Sequence, residues 1–193
     1  MKKNTLLKVA IVICKIIRVS YIVIFLIFTG VFVHLQMNPS SYEKVKFNIE
    51  TVDDGTFLQY KYSDYIKEKE GSSQSQELTL DKMKISSLYF NFIKTSLLFW
   101  FTFLCVKEFQ AIIESVKAVK TFQENNVLSF RKIGKYLLFI SVITMFTYYT
   151  FKNGARISCS VSYKILVLSL ISYIMAEVFK EGNNLEEGNK LTV

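Results

Sequence analysis

Four apolar blocks separated by polar stretches organise the chain. The first runs from Leu6 to Gln36, and from Val19 to Leu35 it carries no charge except the optional one on His34. As a helix, that uncharged stretch covers roughly 25 Å, a little less than a hydrocarbon layer of about 30 Å. Lys15 and Arg18 sit at its inner edge, and their long stems reach the headgroups and close the gap. The later blocks are Ser86 to Val106, Tyr136 to Phe151 and Val161 to Phe179. Runs of this length predict membrane helices over about 16–36, 86–107, 134–151 and 161–179. The expected fold is therefore an all-α polytopic membrane protein, a four-transmembrane-helix bundle. No small-x-small site follows Val33, so the first block is expected to stay as an uncleaved anchor.

Residues 37–85 are polar and of mixed charge. Within them Val45, Phe47 and Ile49 alternate, and a Phe57, Leu58, Tyr60, Tyr62 run follows Asp54-Gly55. That pattern predicts a small β-hairpin in an extracytoplasmic loop between the first two helices. GSSQSQ, Gly71 to Gln76, reads as a linker. Beyond the second block, Lys107, Gln110, Glu114, Lys117 and Thr121 recur at helical spacing, opposite Cys105, Phe109, Ile112, Val116 and Val119. This predicts an amphipathic extension at the cytoplasmic interface, followed by a loop, within 107–133. Asn126 or Ser129 is placed to cap the third helix, and KNGARISCS, Lys152 to Ser160, reads as a short turn. Ser162, Ser169, Ser172 and Ala176 on the fourth helix, and Ser141, Thr144 and Tyr148 on the third, predict close packing through small and hydroxyl side chains.

Charge sets the orientation. Lys and Arg crowd the N-terminal flank and the loop between the second and third spans, so both termini, including the tail 180–193, are expected in the cytoplasm. The net charge of +8 lies beside the apolar blocks, which points to lipid headgroups rather than to direct nucleic-acid binding. Half the residues, 51%, are hydrophobic, with 17 Phe and one Pro, which excludes a disordered chain. Cys14, Cys105, Cys159 and the single His34 make no metal-ligand spacing. No catalytic motif or cofactor motif stands out, so no enzyme is expected. Glu177 and Lys180, three apart, predict a local ion pair. Asn91 and Lys94 interrupt the second block. Either Lys94 reaches outward to the headgroups, or the two form a buried polar site within the membrane.

Two stretches carry a resemblance. The tail AEVFKEGNNLEEGNKLTV offers Phe179, Gly182, Leu185, Asn189, Leu191, Thr192 and Val193 in order. FQENNVLSFRKIG offers Phe122, Asn126, the basic pair Arg131 and Lys132, and Gly134. Both resemble YoaS-like bacterial membrane proteins, a domain-of-unknown-function family with four spans and a closing Leu-Thr-Val or Leu-Thr-Ile. That family often has Gly-x-Pro where Val119-Lys120-Thr121 stands, and an acid where Lys190 stands. The resemblance implies a multi-pass protein of the bacterial cytoplasmic membrane. It also implies a small helix-turn-helix regulator as partner, so a regulatory or sensory role is the leading expectation. A small transporter or immunity-type protein, and a structural subunit, are the alternatives, and homo-oligomerisation is left open. The tail is expected to fold back so that Leu185, Leu191 and Val193 fill a groove beside residues 107–121, with its carboxylate near Arg131 or Lys132. A disordered tail and capture by a carboxylate-binding domain are the alternatives.

Overall fold

The computed structural model describes residues 3–42, 56–65, 83–119, 121–151 and 154–191. Among them are four α-helices: α1 (Lys3–Met37), α2 (Ile85–Lys117), α3 (Glu124–Met145) and α4 (Tyr163–Leu191). A 3-10 turn, Pro39–Tyr42, follows α1. Three strands, β1 (Thr56–Tyr65), β2 (Phe146–Phe151) and β3 (Gly154–Ser162), form one antiparallel sheet in the order β1-β3-β2. The fold is mainly helical, but it is not all-α.

The chain divides into two compact units. The first comprises Met1–Val23, Leu98–Ser141 and Lys164–Val193; the second comprises Ile24–Leu97 and Val142–Tyr163.

In the first unit α3 and α4 meet through small residues. Ser169, Ser172 and Ala176 are all buried, and they recur every three or four positions along one face of α4. Ser169 Oγ donates to the Gly134 carbonyl and Ser172 Oγ to the Phe130 carbonyl, both at 2.9 Å. The acceptors are one helical turn apart, so the two hydroxyls follow the pitch of α3. A Cβ at Gly134 would come within 2.8 Å of the Tyr173 ring, so only glycine permits this approach. The serine and alanine stripe expected of the fourth helix is present, except that Ser162 belongs to β3.

In the second unit aromatic rings join α1 to α2. Phe32 stacks on Phe92 at 3.9 Å, Phe28 stacks on Phe92 at 5.3 Å, and Tyr89 meets Phe32 edge-on at 5.4 Å. The sheet is anchored to α2 by polar side chains. Ser87 Oγ donates to the Tyr148 carbonyl and accepts from the Thr150 amide, each at 3.1 Å. Asn91 Nδ2 donates to the same Tyr148 carbonyl at 2.8 Å, and Lys94 Nζ donates to the Phe146 carbonyl at 2.5 Å. The Lys84 amide reaches the Thr150 carbonyl at 2.8 Å. Residues 146, 148 and 150 face one edge of β2 because a strand alternates every second residue. Positions 87, 91 and 94 share one face of α2. The helix therefore pairs the edge of β2 that β3 does not occupy.

Three expectations are corrected here. The helix expected over 134–151 ends at Met145, and FTYYTF continues as β2. Thr, Tyr and Phe favour a pleated strand, and an apolar run alone does not separate the two states. The expected turn 152–160 is instead mostly β3, whose Gly154 pairs with Phe151. The Asn153-Gly154 dipeptide between β-formers was the available hairpin signal. β1 covers the second strand of the hairpin expected in the loop, but the partner described for it is β3, with Tyr60 opposite Cys159. The proposed first strand, Val45 to Ile49, and the linker 71–76 lie outside the described residues. Two helices, Thr5–Met37 and Ile85–Lys117, are long and apolar enough to cross a membrane.

Ser87 is fully buried, whereas Ser86 is exposed. Ser87→Ala leaves a carbonyl and an amide of β2 without this partner, and is expected to cost about 1–3 kcal/mol. A thermal melt in detergent should show a clear loss for Ser87→Ala and almost none for Ser86→Ala. Equal melting of the two variants would contradict the edge-pairing account.

Candidate functional site

Phe122 from one resemblance stretch and Phe179 and Gly182 from the other meet where α2 ends, α3 begins and α4 runs past them. The turn out of α2 is tight. Ala118 N bonds Glu114 O and Val119 N bonds Val116 O, both at 3.1 Å, and Val119 adopts φ 61°. That left-handed conformation favours glycine, and a β-branched side chain there is strained. Val119 is 89% exposed, so no packing contact compensates.

Asn126 secures the turn from the far side. Its buried amide donates to the Thr121 carbonyl at 2.6 Å and to Ser115 Oγ at 2.9 Å. It is not the helix cap that its position suggested. Gln123 O accepts from Asn126 N at 2.9 Å and from Val127 N at 3.4 Å, which makes Gln123 the residue where the helix begins. Ser129 is not the cap either; its hydroxyl donates to Glu108 Oε2 at 2.8 Å.

The basic pair is divided between two helices. Lys132 Nζ lies 3.7 Å from Glu108 on α2, and Arg131 Nη2 lies 2.7 Å from Glu177 on α4. Lys180 completes the expected local pair with Glu177 at 3.8 Å. Adjacent residues on a helix point about 100° apart, so Arg131 and Lys132 reach different neighbours.

An aromatic group closes the corner. Phe179 lies 4.9 Å from Phe130 and 5.6 Å from Phe122, centre to centre. A Cβ on Gly182 would overlap the Phe122 ring, so the glycine makes room for it. Phe122, Phe179 and Gly182, picked out from stretches almost sixty residues apart, are thus neighbours. Beside them an open cleft of about 390 Å³ is bordered by Phe122, Glu124, Asn183 and Glu187.

The tail does not fold back. Residues 180–191 continue α4, and Leu185 is 63% exposed rather than packed in a groove. Arg131 and Lys132 are engaged by Glu177 and Glu108, and the terminal carboxylate expected beside them lies outside the described residues. An Asn183–Glu187 side-chain bond of 2.9 Å spans one turn and supports the helix. Asn189 and Leu191 belong to this helix by their backbone, and Thr192 and Val193 lie outside the described residues.

Asn91 and Lys94 are in the second unit, where both donate to β2 as described above. The extension of α2 also differs from its expected faces. Gln110, read as part of the polar stripe, is buried because Arg18 Nη1 donates to its Oε1 at 3.2 Å. Arg18 also stacks over the Phe103 ring at 5.0 Å. Gln110 Nε2 in turn holds Glu114 Oε1 at 2.8 Å. Sequence reading missed Glu108, Gln110 and Ser115 as partners, since each depends on a residue far along the chain. All three cysteines are free. Among the described residues, no group of three His, Cys, Asp or Glu is placed to hold a metal ion.

The chain belongs to the family described as "Protein of unknown function (DUF2975)", which matches residues 60–193. That match takes in both Phe122–Gly134 and Phe179–Val193. No curated protein and no solved structure matches the chain.

Two outcomes test this corner. Val119→Gly removes the left-handed strain and is expected to stabilise the protein by about 1 kcal/mol, read as a higher melting temperature; a lower one would refute the strained turn. Arg131→Gln should leave the melting temperature almost unchanged, as expected for an exposed ion pair; a large loss would show that this pair carries the stability of the corner.

Proposed function

We propose that this member of the DUF2975 family is an integral membrane protein that presents a cytoplasmic docking surface to a small helix-turn-helix regulator. One observation carries the membrane half of this reading. The two long apolar helices are only 11% buried over their most apolar windows, whereas the core helix of a soluble protein would be mostly buried. As helices of 33 residues they are roughly 50 Å long, enough to cross a hydrocarbon layer and extend beyond it. Exposed aliphatic side chains on α4, such as Leu168, Leu170 and Ile174, and Val142 on α3, support placing those helices in lipid too. Four helices in the bilayer put both termini on one side, and the Lys and Arg density favours the cytoplasm.

The partner half rests on the sequence resemblance and on the corner where its residues meet. Exposed Leu185 and the Phe122 edge lie beside carboxylates there, a combination suited to a basic protein with an apolar anchor. The transport reading gains no support from Asn91 and Lys94, whose donors are committed to β2 carbonyls.

Two experiments test the two halves. In intact cells a membrane-impermeant maleimide should label Cys159 and fail to label a cysteine added after Val193; the reverse pattern would overturn the orientation. Affinity purification from native membranes should recover a small helix-turn-helix protein, and Leu185→Glu should reduce the yield about tenfold, the effect of losing one buried apolar anchor. Undiminished recovery with Leu185→Glu would remove this surface from the interaction.

A further inference from the structure

A second pocket in the first unit lies between α1 and α2, away from the aromatic corner. It holds about 300 Å³ and is lined by Ile11, Lys15, Glu114, Lys117 and Ala118. We propose that it binds the phosphoethanolamine headgroup of a membrane phospholipid. This rests on the membrane reading above and adds a ligand to it.

The charges of the pocket lead to this ligand. Two lysines and one glutamate border a single small space, yet among the described residues no ion pair joins either lysine to Glu114. Charges of both signs that do not neutralise each other are available to a ligand carrying both signs. The glutamate is held in place by the relay from Arg18 through Gln110, which occupies Glu114 Oε1. Its second oxygen remains to accept from an ammonium group. The end of α2 lies at the same place, since Lys117 is its last residue. The negative end of a helix dipole favours a cation beside it. Lys15 and Lys117 suit the phosphate.

The three common glycerophospholipid headgroups differ at just these points. A primary ammonium donates hydrogen bonds to a carboxylate, and a quaternary choline has no N–H with which to do so. A glycerol headgroup brings a phosphate but no cation, so Glu114 and the helix end would oppose it. Phosphoethanolamine satisfies both the lysines and the glutamate. Apolar surface adjoins the pocket: Ile11 forms part of its wall, and exposed Val12, Ile16 and Val19 form the neighbouring stripe of α1 along which acyl chains can lie.

The test uses the full-length protein purified in detergent and offered equal amounts of dioleoyl phosphatidylethanolamine, phosphatidylglycerol and phosphatidylcholine. Lipid retained per chain is read by native mass spectrometry. Phosphatidylethanolamine should be retained most. Glu114→Gln should lower its retention about tenfold and abolish its advantage over phosphatidylglycerol, the effect expected when one charged hydrogen bond is lost. Lys117→Gln should lower retention of all three lipids, since each carries the phosphate, and melting curves of both variants check that they fold. Equal retention of the three lipids, or a preference unchanged in Glu114→Gln, overturns the proposal. Soluble phosphoethanolamine binding as tightly as the lipid overturns the lipid assignment in favour of a free metabolite. Recovery of the chain from cells without detergent would sink the membrane reading itself, whereas absent lipid selectivity in a detergent-requiring protein sinks only the pocket.

Discussion

Backbone groups that leave water must find partners, and in this chain helix side chains repeatedly supply them. Ser87, Asn91 and Lys94 serve the edge of β2. Ser169 and Ser172 serve carbonyls of α3, and Asn126 serves the turn before it. An uncovered strand edge is unstable next to an apolar medium and prone to unwanted pairing. A three-stranded sheet can sit beside membrane-length helices only if that edge is closed, and α2 closes it without contributing a strand. The polar residues that interrupt an otherwise oily helix thus bond the edge of the sheet.

Close approach is the second constraint, and it operates through what is missing from side chains. Gly134 lets Tyr173 lie against α3, and Gly182 lets Phe122 lie against α4. The second contact brings Phe122 to the aromatic group around Phe179. The turn at Val119 shows the opposite case. Its φ of 61° is one that glycine adopts freely. Here valine takes the strain, held by the hydrogen bonds of Ala118 and Val119 behind it and by Asn126 ahead of it.

Much of this was legible from single stretches of sequence. Helix positions, the Ser169–Ser172–Ala176 stripe, the Glu177–Lys180 pair and the importance of Phe122, Gly134, Phe179 and Gly182 all follow from spacing or from the family pattern. What escaped depended on partners distant in the chain. Gln110 looks solvent-facing until Arg18, 92 positions away, is seen to bury it. Glu177 already had an adequate local partner in Lys180, which hid the shorter contact with Arg131. Phe146 to Phe151 is as apolar as a helix would be, and only its pairing with β3 decides the strand. The tail was expected to fold back on its apolar residues, yet α4 runs on to Leu191, and Asn183 and Glu187 bond across one of its turns.

The division of labour between Arg131 and Lys132 links packing to the proposed role. One holds α4 through Glu177 and the other holds α2 through Glu108, so the beginning of α3 is clamped on both sides. Exposed ion pairs add little stability, and the Arg131–Glu177 pair is of that kind. It joins α3 to α4 beside the Phe122–Phe179 contact. A surface held this way is ordered before a partner arrives, and association then loses less conformational entropy than it would on a free tail. Under the proposed role, a helical tail offers an ordered surface rather than an extended tether.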